Sequence, residues 1–188
     1  PQELLYRRKA LKQADVVALL ALFPREFAEQ VRQQSFEYYE SLTTHDSSLS
    51  PTTHALVAAE LGRAEQAIAF LSRSITIDTD PLSGDASQGV HIANAGGHWQ
   101  VVMHGFLGLR PAGAAPGDTD LVVQPVLPPE IGSISATVRW RGATLGVAVE
   151  GDRVTVVHRG GATVRVRVCG RTAELSAGES VAHVGCSQ

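Results

Sequence analysis

The sequence predicts an α+β chain in two parts, a run of helices followed by a small antiparallel β-sandwich. Up to about Arg110 the apolar residues recur at helical spacing, and after the Pro/Gly/Ala-rich stretch 111–117 the period falls from 3.6 to 2. Length sets the scale: 188 residues at 44% hydrophobic composition make one ordinary domain or two small ones, with enough apolar surface for a real core.

The helical elements follow in order. Residues 14–23 are apolar nearly all round, as in a helix buried on several sides. Pro24 then opens a second helical stretch toward Tyr39. Ser50-Pro51 reads as an N-cap followed by proline at the first helical position, and Gly62 closes that helix where a left-handed residue is favoured. The chain re-enters a helix at once. Ala64, Ala67, Ile68, Leu71 and Ile75 fall at i, i+3, i+4, i+7 and i+11, which marks one buried face. A last helical pattern covers residues 90–109 and is ended by Arg110-Pro111.

Strands replace helices in the second part. Ile134, Ala136, Val138 and Trp140 alternate with polar neighbours, as do Leu145, Val147 and Val149, and Val164, Val166 and Val168 against Arg165 and Arg167. These are half-buried strands. Gly151-Asp152 and Gly160-Gly161 sit between strand patterns at two-residue hairpin positions. The arginine rows read as a solvated sheet face, and two parts result, residues 1–112 and 113–188.

Composition excludes several functions. A formal charge of −3 and a pI near 6.2 leave no basic excess for a phosphate backbone, so nucleic acid is not an expected partner. The longest apolar run, residues 16–23, is far short of the roughly 20 residues that span a bilayer, so no membrane is expected either. Cys169 and Cys186 show neither a metal spacing nor a disulfide framework and read as ordinary thiols. His45, His54, His91, His98 and His104 lack the paired spacing of zinc hydrolases, so no metal site is expected. Pro1 enters a helical pattern without an initiator methionine or signal peptide, and is read as an internal point of a longer chain.

Three clusters in the helical part could carry chemistry. Lys12-Gln13-Ala14-Asp15 places an ammonium and an amide just before a buried helix, where they could hold sugar hydroxyls; the plain alternative is a surface lysine at a helix start. Thr43-Thr44-His45-Asp46-Ser47-Ser48-Leu49-Ser50-Pro51 gathers hydroxyls and an imidazole ahead of a helix N-terminus, which favours an anion such as phosphate. Alternatively Ser50 only caps the helix and the rest make turns. In the third cluster, from Gly89 to Gly108, the four glycines inside the helical pattern, Gly96, Gly97, Gly105 and Gly108, cost roughly 1 kcal/mol each relative to alanine, so either ligand approach or tight helix packing is expected there. Trp99 offers a sugar-stacking face, although tryptophan is more often core.

Taken together the motifs are specific. Lys12-Gln13-Ala14-Asp15, Phe36-Glu37-Tyr38-Tyr39-Glu40, Thr44-His45-Asp46-Ser47-Ser48-Leu49-Ser50, Gly89-Val90-His91-Ile92-Ala93, Gly97-His98-Trp99-Gln100, Gly105-Phe106-Leu107-Gly108-Leu109-Arg110, Pro125-Val126-Leu127-Pro128 and Arg141-Gly142 occur in an order and spacing that resembles glycoside hydrolase family 65, over about residues 8–150. The resemblance implies an (α/α)6 barrel followed by a C-terminal β-sandwich, with this chain supplying the last barrel helices and the sandwich. It also implies inverting phosphorolysis of an α-linked glucose disaccharide, with inorganic phosphate as co-substrate and no other cofactor. An acid protonates the glycosidic oxygen while phosphate attacks the anomeric carbon from the opposite face, giving β-glucose 1-phosphate.

By the same resemblance Ser47, Ser48 and His91 match phosphate-binding positions, Lys12 and Gln13 match positions that hold the glucosyl unit, and His45 and Gly97 support the site. The general acid glutamate has no match here and is expected upstream, so the chain alone should be inactive and needs the N-terminal remainder of the same enzyme. A cytoplasmic homodimer is implied for the full-length protein. Asp46 and Glu40 keep a related, trehalase-like hydrolase as the alternative, since an inverting hydrolase needs a second carboxylate roughly 6.5–9.5 Å from the first. A non-catalytic fragment, or a carbohydrate-binding β-half, is the reading from a different class.

Overall fold

The computed structural model describes residues 3, 4, 7, 9–80, 89–113 and 118–186. Pro1 and the end of the Pro/Gly/Ala-rich stretch lie outside them. The chain divides into two compact units, Pro1–Val102 and Met103–Gln188.

Among the described residues the first unit carries α1 (Asp15–Leu22), α2 (Glu29–Glu40), α3 (Ser50–Glu60), α4 (Ala64–Thr79) and α5 (Ile92–Gln100), the last continuing into a π-helical turn, Val101–Phe106. The helix buried all round is α3, not α1: Ala55, Val57, Ala58 and Ala59 are fully buried, whereas Leu19 and Leu22 of α1 are exposed. Only Val17 and Leu20 of α1 are buried, and its other side stays exposed among the described residues. Pro24 does not start α2. Residues 24–27 form a turn in which the Glu26 N–H donates to the Phe23 carbonyl, and Ala28 is extended at ψ 146°, so the helix begins at Glu29. Gly62 ends α3 at φ +74°, the left-handed conformation its position requires. On α4 the buried face is Ala67, Leu71 and Ser74, while Ile75 is 44% exposed.

The expected helix over 90–109 stops earlier, because the chain leaves the π turn and pairs as β1 (Leu109–Pro111) with β2 (Leu121–Val123). Arg110-Pro111 is therefore strand rather than helix end. The second unit adds β3 (Ser133–Trp140), β4 (Ala143–Glu150), β5 (Arg153–Gly161), β6 (Val164–Val168), β7 (Arg171–Leu175) and β8 (Ser180–Val184). They form two four-stranded sheets, β1-β2-β6-β7 and β3-β4-β5-β8. Val123, Val166 and Val168 of one sheet and Leu145, Val147, Val154 and Val156 of the other close a single core, so the pair is a sandwich, with one parallel contact between β2 and β6.

The hairpin at Gly151-Asp152 is present, with Glu150 opposite Arg153. Gly160-Gly161 is not a hairpin: both residues lie in β5 opposite Thr144 and Ala143. A Cβ on Gly161 would stand 2.1 Å from the Gly142 carbonyl, so close strand approach accounts for the glycine there. The tight turns fall instead at Arg141-Gly142 and Cys169-Gly170, all four residues having positive φ. Asp120, almost fully buried, holds Arg165 and Arg167 at 3.2 Å, which ties the arginine row down in part. Cys169 and Cys186 are disulfide-bonded, not free thiols; their Cα atoms are 5.3 Å apart because the β6–β7 turn meets the segment after β8, a proximity that sequence spacing does not reveal.

Candidate functional site

The first two clusters are neighbours. Leu11, immediately before Lys12, bridges the start of the second cluster: its N–H donates to the Leu42 carbonyl and its carbonyl accepts from the Thr44 N–H, both at 2.8 Å. The Thr44 hydroxyl donates to Asp46 Oδ2 at 2.9 Å and lies 3.3 Å from the Leu11 carbonyl oxygen. Lys12 and Gln13 are exposed on this bridged loop, so an ammonium and an amide stand free beside a loop rich in hydroxyls.

The loop carrying Ser47 and Ser48 is anchored from beneath. His45 adopts φ +57°, a left-handed conformation uncommon outside glycine that His takes more readily than most side chains, and its ring packs against His54 and Phe70 at centroid distances of 4.6 and 5.2 Å. Ser50 does not cap α3; Leu49 occupies the cap position, and the Ser50 hydroxyl donates to the Ser47 carbonyl at 3.1 Å. That leaves His45 Nδ1 as the donor to Ser50 Oγ at 3.0 Å, and His54 Nδ1 as the donor to the Ser50 carbonyl at 2.9 Å. Both donations place a proton on Nδ1 of the ring concerned. Burial, followed by the nearby His54 and Arg73 charges, lowers the His45 pKa from 6.5 to about 4, and burial lowers that of His54. Sequence reasoning assigned His45 to support but missed His54 and Phe70, whose spacing along α3 and α4 carries no chemical signature.

His91 stands at the N-cap of α5, with Nδ1 2.6 Å from Asp78 Oδ1. Hydrogen bonding from His91 holds the Asp78 carboxyl below its ordinary range. Gly97 lies where α5 meets the first turn of α3: a Cβ there would be 2.5 Å from Thr52 Oγ1. Packing, not open space for a ligand, accounts for this glycine. Trp99 is 57% exposed and so is not a core residue of this unit. Among the described residues no group of three His, Cys, Asp or Glu side chains is arranged to hold a metal ion, and no helix is long and apolar enough to cross a membrane.

A helical unit bearing the polar clusters, followed by a separate β-sandwich, has the layout of a catalytic-domain segment joined to an accessory β-domain. The comparisons agree: residues 2–100 match the glycosyl hydrolase family 65 central catalytic domain, and residues 116–175 match the family 65 C-terminal domain. The chain belongs to glycoside hydrolase family 65.

Its relatives include the kojibiose phosphorylase of Halothermothrix orenii, 36% identical over 79% of this chain and 18% of the relative. The maltose phosphorylase of Bacillus subtilis is 36% identical over 79% of this chain and 19% of its own. The α,α-trehalose phosphorylase of Geobacillus stearothermophilus is 32% identical over 93% and 22%. A solved structure assigned as a kojibiose phosphorylase from the human microbiome superposes with a TM-score of 0.81 at 24% identity, covering 94% of this chain and 25% of that one, a likeness of fold. The chain thus spans about a fifth of the length of these curated relatives.

Proposed function

We propose that this chain is the C-terminal part of an inverting α-glucoside phosphorylase that cleaves an α-linked glucose disaccharide with inorganic phosphate to β-glucose 1-phosphate and a free sugar. The observation that carries the reading is the Leu11 bridge, which sets the Lys12-Gln13 pair beside the Ser47-Ser48 loop in a family whose relatives are phosphorylases. On this reading Lys12 and Gln13 hold hydroxyls of the glucosyl unit, and Ser47, Ser48 and His91 hold the attacking phosphate. Neutral hydroxyl donors and the positive end of the α3 dipole suit an anion that is already charged. Phosphate then needs no second carboxylate to activate it. It attacks the anomeric carbon as the glycosidic oxygen takes a proton from an acid elsewhere in the polypeptide, and a single inversion gives the β-anomer.

Residues 1–112 belong to the catalytic domain and 113–188 to the C-terminal domain of a longer, cytoplasmic, homodimeric protein. The test uses the full-length enzyme with kojibiose, maltose and trehalose as substrates. Phosphate-dependent release of β-glucose 1-phosphate is expected, and Ser48→Ala should raise the KM for phosphate more than that for sugar. Glucose released at an equal rate without phosphate would move the assignment to a hydrolase.

A further inference from the structure

Asp78 lies in the last turn of α4 and His91 at the entry to α5, and a single carboxylate oxygen joins them twice. Asp78 Oδ1 accepts from the His91 backbone N–H at 3.2 Å and from ring Nδ1 at 2.6 Å. An ionised carboxylate only accepts, so the proton of this contact sits on Nδ1, and Nε2 is the nitrogen left for a ligand. The Asp78 side chain is 13% exposed and that of His91 28%, so the pair is shielded yet the imidazole is reachable.

The same two helices are joined one turn away. Fully buried Ser74 donates to Asn94 Oδ1 at 2.5 Å and lies 2.9 Å from His98 Nε2, while Asn94 Nδ2 donates to the Ser74 carbonyl at 3.1 Å. Residues 74 and 78 are spaced i, i+4 on α4; residues 91, 94 and 98 are spaced i, i+3, i+7 on α5. A polar ladder therefore fixes the axial register of α5 on α4. A one-residue slip would leave buried Ser74 and Asn94 unpaired and would carry His91 off its carboxylate.

We propose that Asp78 is a positioning residue for phosphate: through Nδ1 it fixes the orientation of His91 so that Nε2 faces a phosphate oxygen. This rests on His91 being a phosphate ligand. A carboxylate that merely caps α5 would satisfy the backbone contact alone and have no bearing on which substrate binds.

The experiment compares Asp78→Asn, His91→Gln and the double variant in the full-length enzyme, reading KM for phosphate and for disaccharide separately. Asparagine keeps an oxygen that accepts both bonds but removes the charge; Asp78→Ser, a neutral acceptor of different shape, serves if the asparagine enzyme does not fold. Asp78→Asn should raise the phosphate KM roughly fivefold to tenfold, the difference between a charge-assisted and a neutral hydrogen bond. Disaccharide KM should stay within about twofold, and the double variant should be no worse for phosphate than His91→Gln alone. If His91→Gln raises the phosphate KM and Asp78→Asn does not, or if the double variant shows additive losses, the positioning role is overturned while the phosphate site stands. An unchanged phosphate KM in His91→Gln overturns the reading beneath it.

Discussion

The two units solve burial differently. In the β unit the inward faces of both sheets are spent on each other: Val123, Val156, Val166 and Val168 are fully buried, and the exposed large apolar residues are Val157 and Val184. The helical unit exposes Leu19, Leu22, Phe23, Val31, Tyr38, Leu49, Ile75, Val90, Ile92 and Trp99, and it buries Arg32 Nε, His45 Nε2 and His54 Nε2 with no hydrogen-bond partner among the described residues. Apolar surface of this extent marks an interface, and buried unpaired polar atoms mark groups made to meet something else. One unit is finished by its own sequence. The other leaves apolar side chains uncovered among the described residues.

Separating the units gives the largest effect. Residues 103–188 expressed alone should unfold in one cooperative thermal transition, whereas residues 1–102 should self-associate or bind a hydrophobic dye. A monomeric, cooperatively folding helical unit would break the contrast.

The same difference explains what the sequence disclosed. Strand alternation is a local signal, and a sandwich that closes on itself lets local signals decide, so β3, β4 and β6 are legible from Ile134, Val147 and Val166 alone. Where the signal failed in that unit, a long-range contact was the cause: Gly160-Gly161 reads as a turn, but the opposing strand demands it, and Cys186 meets Cys169 only after β8 has returned. In the helical unit the apolar pattern overstated burial, since Leu22 and Ile75 are exposed among the described residues. The polar clusters were legible as motifs. Their supports were not: Asp78 is thirteen residues from His91 and Phe70 twenty-five from His45, with nothing in the intervening spacing to link them.

A smaller perturbation probes how tightly the helical unit holds its site. Gly97→Ala places a methyl 2.5 Å from Thr52 Oγ1 and 2.7 Å from its Cβ, a buried β-branched side chain with little room to turn. The overpacking should cost about 1–3 kcal/mol in the helical transition, and because Thr52 lies in the first turn of α3, the KM for phosphate should rise as well. A stable Gly97→Ala enzyme with normal phosphate kinetics would show that the α3–α5 contact has room to spare.

The smallest effect is a pH dependence confined to the helical unit. His45 faces Asp46, Ser50, His54, Phe70 and Arg73, and in the fold its pKa is held down from 6.5 to about 4, chiefly by burial. As pH falls through 6.5 the unfolded chain takes up a proton on this residue and the folded chain does not, so the unfolded state binds more protons and stability falls until about pH 4. Above 6.5 the contribution is complete, and His54, lowered in the same direction, adds to it. Asp78 acts in another range: its carboxyl lies below the ordinary 3.8, so its stabilisation is present above that value and is lost only in stronger acid. The helical transition of the full-length enzyme should therefore move to lower temperature between pH 6.5 and 4 by more than the β transition does. His45→Asn is the control. Asparagine tolerates the positive φ and does not titrate, so scanning calorimetry should show a flatter dependence for the helical transition and no change for the β transition. An unchanged slope in that variant would mean that the imidazole beneath the Ser47-Ser48 loop is not what makes the helical unit sensitive to acid.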